Sequence, residues 1–238
     1  MARPWGRVGQ VIVDAFFPRT CVRCGAEGKD VCSTCWSAMF LHTRSFVCPA
    51  CGKPSVIGLK HETCKSSLDG LLFAMPYADA VTHGLLRRWK FQFVRSVEPY
   101  LKKLMEEIPL EEILSGDDWL VVPIPLHVRK KRHRGFDQSA WIGKTVADRL
   151  NLPAGNVLER TRHTKQQSRQ TVRMKEDLEG AFRARQKIEG RGSRWVFDYG
   201  ERLKRADGDV FDFHASVFCV EADLSISGEK ITRRDMVT

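Results

Sequence analysis

No stretch of this 238-residue chain holds the roughly 20 consecutive apolar residues of a membrane-spanning helix. The opening MARPWGRVGQVIVDAFFPRTC has a short apolar patch from Val11 to Phe17 but no small-residue cleavage site. The expectation is therefore a cytoplasmic protein with no secretory leader and no membrane insertion. Cysteine is missing between Cys64 and Cys219, because seven of the eight thiols lie before residue 65. Acidic residues are scarce in one place: between His127 and Lys175, 13 Lys/Arg face only Asp137, Asp148 and Glu159. That segment carries the whole formal net charge of +10, a focused basic field suited to phosphate groups or nucleic acid. The length accommodates one full α/β domain plus a small module, with no need of disulfides.

What the early cysteines form is a repeat. They read Cys21-x2-Cys24, Cys32-x2-Cys35, Cys48-x2-Cys51 and Cys64. Two thiolates three residues apart hold one tetrahedral ion, so paired knuckles in a reducing compartment point to zinc rather than to disulfides or a redox pair. Cys21, Cys24, Cys32 and Cys35 complete a four-thiolate set. Cys48, Cys51 and Cys64 need a fourth ligand, and His61 supplies it, since His61-x2-Cys64 repeats the knuckle spacing. Gly25 and Gly52 follow their knuckles directly, where a tight turn needs glycine. Four protein ligands leave no open coordination position, so the zinc is structural in this account. Cys219 is isolated and reads as a buried or an incidental thiol.

Further along, Gly70 to Tyr77 has the character of a buried strand, and His83 to Glu107 has a 3.6-residue apolar period that Pro99 interrupts, starting a second helix. The apolar WLVVPIP, Trp119 to Pro125, reads as a buried parallel strand. A basic loop follows, with Arg129, Lys130, Lys131, Arg132 and Arg134, then Gly135, then a helix capped by Asp137 or Ser139 that runs through Trp141, Ile142, Val146 and Leu150. Strand, basic loop and helix start in that order make the crevice where open α/β sheets bind anions. Those five cations, Gly135 and Gln138 are the candidate phosphate-binding residues; Arg160, Arg162 and Lys165 are candidate nucleic-acid contacts.

The knuckles, then PIPLHVRKKRHRGFDQS, LERTRHTKQQSRQ and LEGAF, resemble the ComF family. Pro123-Ile124-Pro125-Leu126-His127 and Arg134-Gly135-Phe136-Asp137-Gln138 stand where the family has PVP-x-H and RGFNQ. Arg160, Arg162, Thr164 and Gln167 stand at its R-x-R-x-T-x-x-Q positions, and Asp177 to Phe182 at its closing N-l-x-G-A-F. Asp137 and Asp177 replace asparagines of the family pattern. The resemblance covers about residues 18–183. It implies a zinc-ribbon-like module (18–67), a type I phosphoribosyltransferase-like parallel-sheet α/β domain (68–190) and an atypical tail (191–238). It also implies phosphoribosyl pyrophosphate or a related phosphorylated sugar as ligand, and DNA uptake during natural competence, or DNA utilisation, as the setting. Single-stranded DNA and proteins of the uptake machinery are the implied partners.

One departure bears on activity. Type I phosphoribosyltransferases carry an acid pair followed by TTG[AS]T, whose backbone cradles the 5′-phosphate. Nothing of that kind follows Phe182. Residues 191–238 instead hold eight basic and nine acidic residues with little periodicity. One codon choice for Phe197 to Arg202, read a nucleotide later, spells Ser-Thr-Thr-Gly-Ser, so a frameshift between about Arg185 and Trp195 is one account of the tail. On the chain as it stands the ribose-phosphate loop is absent and no catalytic residue is assigned. The competing accounts are a non-catalytic zinc-containing module for single-stranded DNA, in which the basic segment tracks the backbone, and an inactive truncated product.

Overall fold

The computed structural model describes residues 18–40, 46–65, 70–114, 119–162 and 181–185, and the backbone of five later strands. In chain order the elements are helix α1 (Ser33–Met39), strand β1 (Gly70–Phe73), α2 (Ala80–Phe91), α3 (Glu98–Glu106), α4 (Leu110–Ile113), β2 (Trp119–Val121), α5 (Val128–Arg134), α6 (Gln138–Leu150), β3 (Leu158–Arg160) and β4 (Phe182–Ala184). Strands β5 (Arg194–Tyr199), β6 (Leu203–Lys204), β7 (Val210–Phe211), β8 (Ser216–Glu221) and β9 (Lys230–Ile231) follow. Among the described residues no helix is long and apolar enough to cross a membrane. The chain divides into two compact units, residues 1–43 with 77–101 and residues 44–76 with 102–238.

In the first unit, α2 begins where the Asp79 carboxylate accepts from the Thr82 backbone N–H at 2.8 Å. Its buried stripe is Val81, Leu85, Leu86 and Trp89, at the spacing of one helical face. Pro99 falls in the first turn of α3, where a missing N–H costs nothing. Gly84 sits mid-helix because Val22 of the first knuckle packs against it: a Cβ there would lie 2.5 Å from the Val22 Cβ. Alanine would add about 1 kcal/mol of helix propensity. Overpacking against a branch point fixed to its own backbone costs about 1–3 kcal/mol. Gly84→Ala is thus expected to destabilise the protein, which a lowered urea midpoint would register; a raised midpoint would mean Val22 yields freely.

The second unit is built on a four-stranded sheet of order β1-β8-β5-β2. Only β2–β5 is parallel; β8 runs antiparallel to both β1 and β5. The described sheet is therefore mixed, where sequence reasoning expected a parallel one. A parallel pair needs a long crossover, and β8 returns from β5 without a described helix between them, so it pairs antiparallel. The tail also differs from expectation, since β5 and β8 supply the two inner strands. Their apolar cores, Trp195-Val196-Phe197 and Val217-Phe218-Cys219-Val220, are too short for periodicity to reveal.

Helix α6 packs on β2 and β5, burying Ile142, Val146 and Ala147, and Gly143 lets Pro123 approach to within 2.6 Å of where a Cβ would stand. Arg149 of α6 donates to the Met105 carbonyl at 2.6 Å and pairs with Glu111, whose carboxyl it holds below the usual carboxylate range.

Candidate metal centres and anion site

The Cys21–Cys24 and Cys48–Cys51 knuckles are each a turn closed by a left-handed glycine. In the first, Gly25 adopts φ +77° and donates to the Cys21 carbonyl at 2.9 Å; in the second, Gly52 adopts φ +66° and donates to Cys48 at 2.8 Å. Isolated bridges, Thr20 with Glu27 and Val47 with Pro54, close the two turns in the same way. The Cys32 sulfur caps α1 by accepting the Cys35 N–H at 3.4 Å, and the Cys32 N–H reaches the Cys21 sulfur at 3.4 Å.

The structure brings Cys21, Cys24, Cys32 and Cys35 together in one set and Cys48, Cys51, His61 and Cys64 in another, with the ligand atoms of each within 4.8 Å of one another. Tetrahedral zinc with Zn–S bonds of about 2.3 Å places its sulfurs about 3.8 Å apart. The Cys24 and Cys32 sulfurs stand 3.8 Å apart. In the second set His61 Nδ1 lies 3.4 Å from the Cys51 sulfur and 3.9 Å from that of Cys64, bracketing the about 3.6 Å of a zinc-bound S–N edge. The other ring nitrogen, Nε2, lies 3.1 Å from the Pro54 carbonyl. A carbonyl accepts only, so Nε2 carries the proton and Nδ1 presents its lone pair to the metal. Both sets fit zinc.

The protons of the metal-free sets are divided unequally. Burial alone would push the Cys21 thiol up, but backbone N–H groups of Cys24, Cys32 and Arg23 bring it down to about 6. Burial acts likewise on Cys48, and donors from Cys51, His61 and Ala50 bring it to about 6. Hydrogen bonding to the Cys32 sulfur and then burial push Cys35 up to about 12, and burial followed by its neighbours Cys51 and Cys48 pushes Cys64 up.

Residues 12–68 match the family model described as a double zinc ribbon domain. This part of the chain is a double zinc ribbon. No curated protein and no solved structure matches the chain. The double ribbon brings zinc as its metal, and its closed ligand sets give it the chemistry of a scaffold.

The basic run after β2 is a helix rather than the expected loop. His127 caps α5, its Nδ1 accepting the Arg129 N–H at 3.3 Å, and Gly135 ends it at φ +74°. Lys and Arg are good helix formers, and those in the last turn complement the helix dipole. The helix buries none of its residues: Arg129, Lys131 and Arg132 are exposed and Lys130 half-buried. Arg134 turns inward, its Nη1 donating to Gln138 Oε1 at 3.0 Å. Asp137 caps α6 through Ala140 at 3.3 Å and accepts from the Leu126 N–H at 3.4 Å; Ser139 is not the cap.

Gln138 is 4% exposed, and its Nε2 has no hydrogen-bond partner among the described residues. Burial, eased by Asp137 and aggravated by Arg160, moves the Arg134 guanidinium below its ordinary pKa. Arg160 lies on β3 with its guanidinium 5.1 Å over the Phe182 ring; Arg162 is exposed and Lys165 lies outside the described residues.

Sequence reasoning missed Asp30, Arg88 and Ser96. Asp30 is 2% exposed and accepts from Arg88 Nη1 at 2.8 Å and Ser96 Oγ at 2.7 Å. A pair 58 residues apart leaves no local pattern in the sequence.

Proposed function

We propose that this chain is a ComF-like protein of DNA uptake and utilisation. In this account the region after the double ribbon binds a phosphorylated ribose of the phosphoribosyl pyrophosphate class. The buried Gln138 Nε2, a donor without a partner among the described residues while Oε1 accepts from Arg134, carries the reading. A buried donor with nothing to donate to costs about 1–3 kcal/mol, a cost that a ligand oxygen removes. Arg134 beside it supplies the positive charge, and the start of α6 supplies backbone N–H groups. No transfer chemistry is assigned, because the acid pair and TTG loop of the resembled enzymes are absent from the chain as it stands. A frame change upstream of Trp195 belongs to the same proposal as the origin of that absence.

A second reading, a non-catalytic module for single-stranded DNA, draws on α5. A seven-residue helix that buries nothing and is cationic along most of its length suits a polyphosphate backbone. The two readings separate in one titration series on the full chain, with phosphoribosyl pyrophosphate and a single-stranded oligonucleotide as probes. Arg134→Ala removes a charge-assisted donor worth about 1.5–3 kcal/mol, so sugar-phosphate affinity is expected to fall by roughly 10- to 100-fold. Arg129 and Arg132, phosphate-binding candidates on the sequence, are exposed on α5 while Arg134 is the one that reaches Gln138. Arg129→Ala with Arg132→Ala should therefore leave that affinity within about twofold and should flatten the salt dependence of oligonucleotide binding by about two phosphate contacts. No saturable sugar-phosphate binding by the wild type would end the first reading; salt-independent oligonucleotide binding would end the second.

A further inference from the structure

The two ligand sets of the double ribbon fall in different compact units, the first within residues 1–43 and 77–101 and the second within 44–76 and 102–238. Each is tied to its own unit by contacts that reach beyond the knuckle. Asp30 lies between Cys24 and Cys32, and its carbonyl accepts the Val22 N–H at 2.9 Å, which fixes its backbone inside the ribbon. Its carboxylate reaches out, one oxygen to Arg88 on α2 and the other to Ser96 just before α3. Arg88 also donates to Thr20 Oγ1 at 3.0 Å, Thr82 of α2 donates to the Met39 sulfur at 3.7 Å, and Tyr100 of α3 donates to the Val31 carbonyl at 3.4 Å.

The second ribbon meets a strand instead. Gly58, at φ +76°, lies so close to β1 that a Cβ would stand 2.2 Å from the Leu71 carbonyl oxygen. Leu59 bridges to Gly70, and the Phe46 ring lies 5.4 Å from that of Phe73.

From these contacts we propose that each ligand set, closed on zinc, is the folding clamp of its own unit. The first orders residues 80–101 through Asp30, and the second orders β1 through Gly58 and Leu59. The two positions are then not interchangeable: a chain holding one ion is ordered on one side only. Asp30 is a positioning residue here, since it binds no metal and transmits the geometry of the knuckle to the helices.

Hydrogen exchange on the full chain tests this with three variants, their zinc content measured alongside. Cys24→Ser with Cys32→Ser is expected to retain one zinc and to exchange at least about 100-fold faster across residues 80–91, with residues 70–73 unchanged. Cys51→Ser with Cys64→Ser is expected to do the reverse. Asp30→Asn keeps both ligand sets, so it should hold two zinc ions yet still raise exchange in residues 80–101. Retained protection of the helices in the first variant overturns the proposal. Loss of protection in both segments from either double variant overturns it too, because the chain would then be one cooperative unit.

Discussion

Zinc loading of the metal-free protein at pH 7 is expected to release at least two protons per chain and to take up two ions. The count follows from how each set holds its protons. Cys21 and Cys48, both brought to about 6 by backbone donors, are already mostly thiolate at neutral pH. Cys35, pushed to about 12, and Cys64, pushed in the same direction, hold theirs. A thiol ligates only after losing its proton, so these two must leave as the shells close. The sign of the pH dependence follows: affinity climbs with pH above neutrality, about tenfold per unit for each proton released. It falls more steeply below about pH 6, where Cys21 and Cys48 also take up protons.

The magnitude is large. Structural zinc contributes about 10–16 kcal/mol of apparent binding energy in zinc-finger peptides at neutral pH, against a typical net domain stability of about 5–15 kcal/mol. A strong chelator is therefore expected to unfold the ribbons. Titration in weak buffer with a pH-indicator dye reads the protons, metal analysis reads the ions, and far-ultraviolet circular dichroism reads the loss of structure. One ion per chain, or loading without proton release, would refute the assignment of eight ligands.

The ribbons were legible because knuckle spacing is a local property that metal geometry dictates. The same logic reached His61 from its distance to Cys64, and the structure gathers it with the three thiols. Capping was legible too, since Asp137 acts within three residues of itself. The basic run was visible as charge but not as a helix, because its stop signal, Gly135 in the left-handed region, reads equally well as a loop glycine. Hidden altogether were features set by distant partners. The strand pairing of the tail depends on β1 and β2, more than 70 residues earlier. The unpartnered state of Gln138 Nε2 depends on what surrounds it, and the Asp30 pair joins a turn to a helix far along the chain.

That pair gives the second large effect. Asp30→Ala is expected to destabilise the protein by about 3–5 kcal/mol, the usual cost of removing one partner from a buried ion pair. Burial decides the size: the Asp30 side chain is 2% exposed and that of Arg88 20%. By contrast the Lys144–Asp148 pair on α6, with both side chains more than half exposed, is worth about 0.3–0.5 kcal/mol. Alanine at position 30 strands the Arg88 guanidinium with only Thr20 as its remaining acceptor among these groups, and leaves the Ser96 hydroxyl without its carboxylate. The partial exposure of Arg88 lets water reach it, which favours the lower end of the range. Much of the loss is desolvation of the abandoned partner rather than the worth of the pair, so Asp30→Ala combined with Arg88→Met should recover a good part of it. Urea midpoints of the wild type, both single variants and the double variant, at fixed zinc, complete the cycle. An Asp30→Ala shift below about 0.5 kcal/mol would place the carboxylate among surface charges and remove its role in joining the first ribbon to the helices.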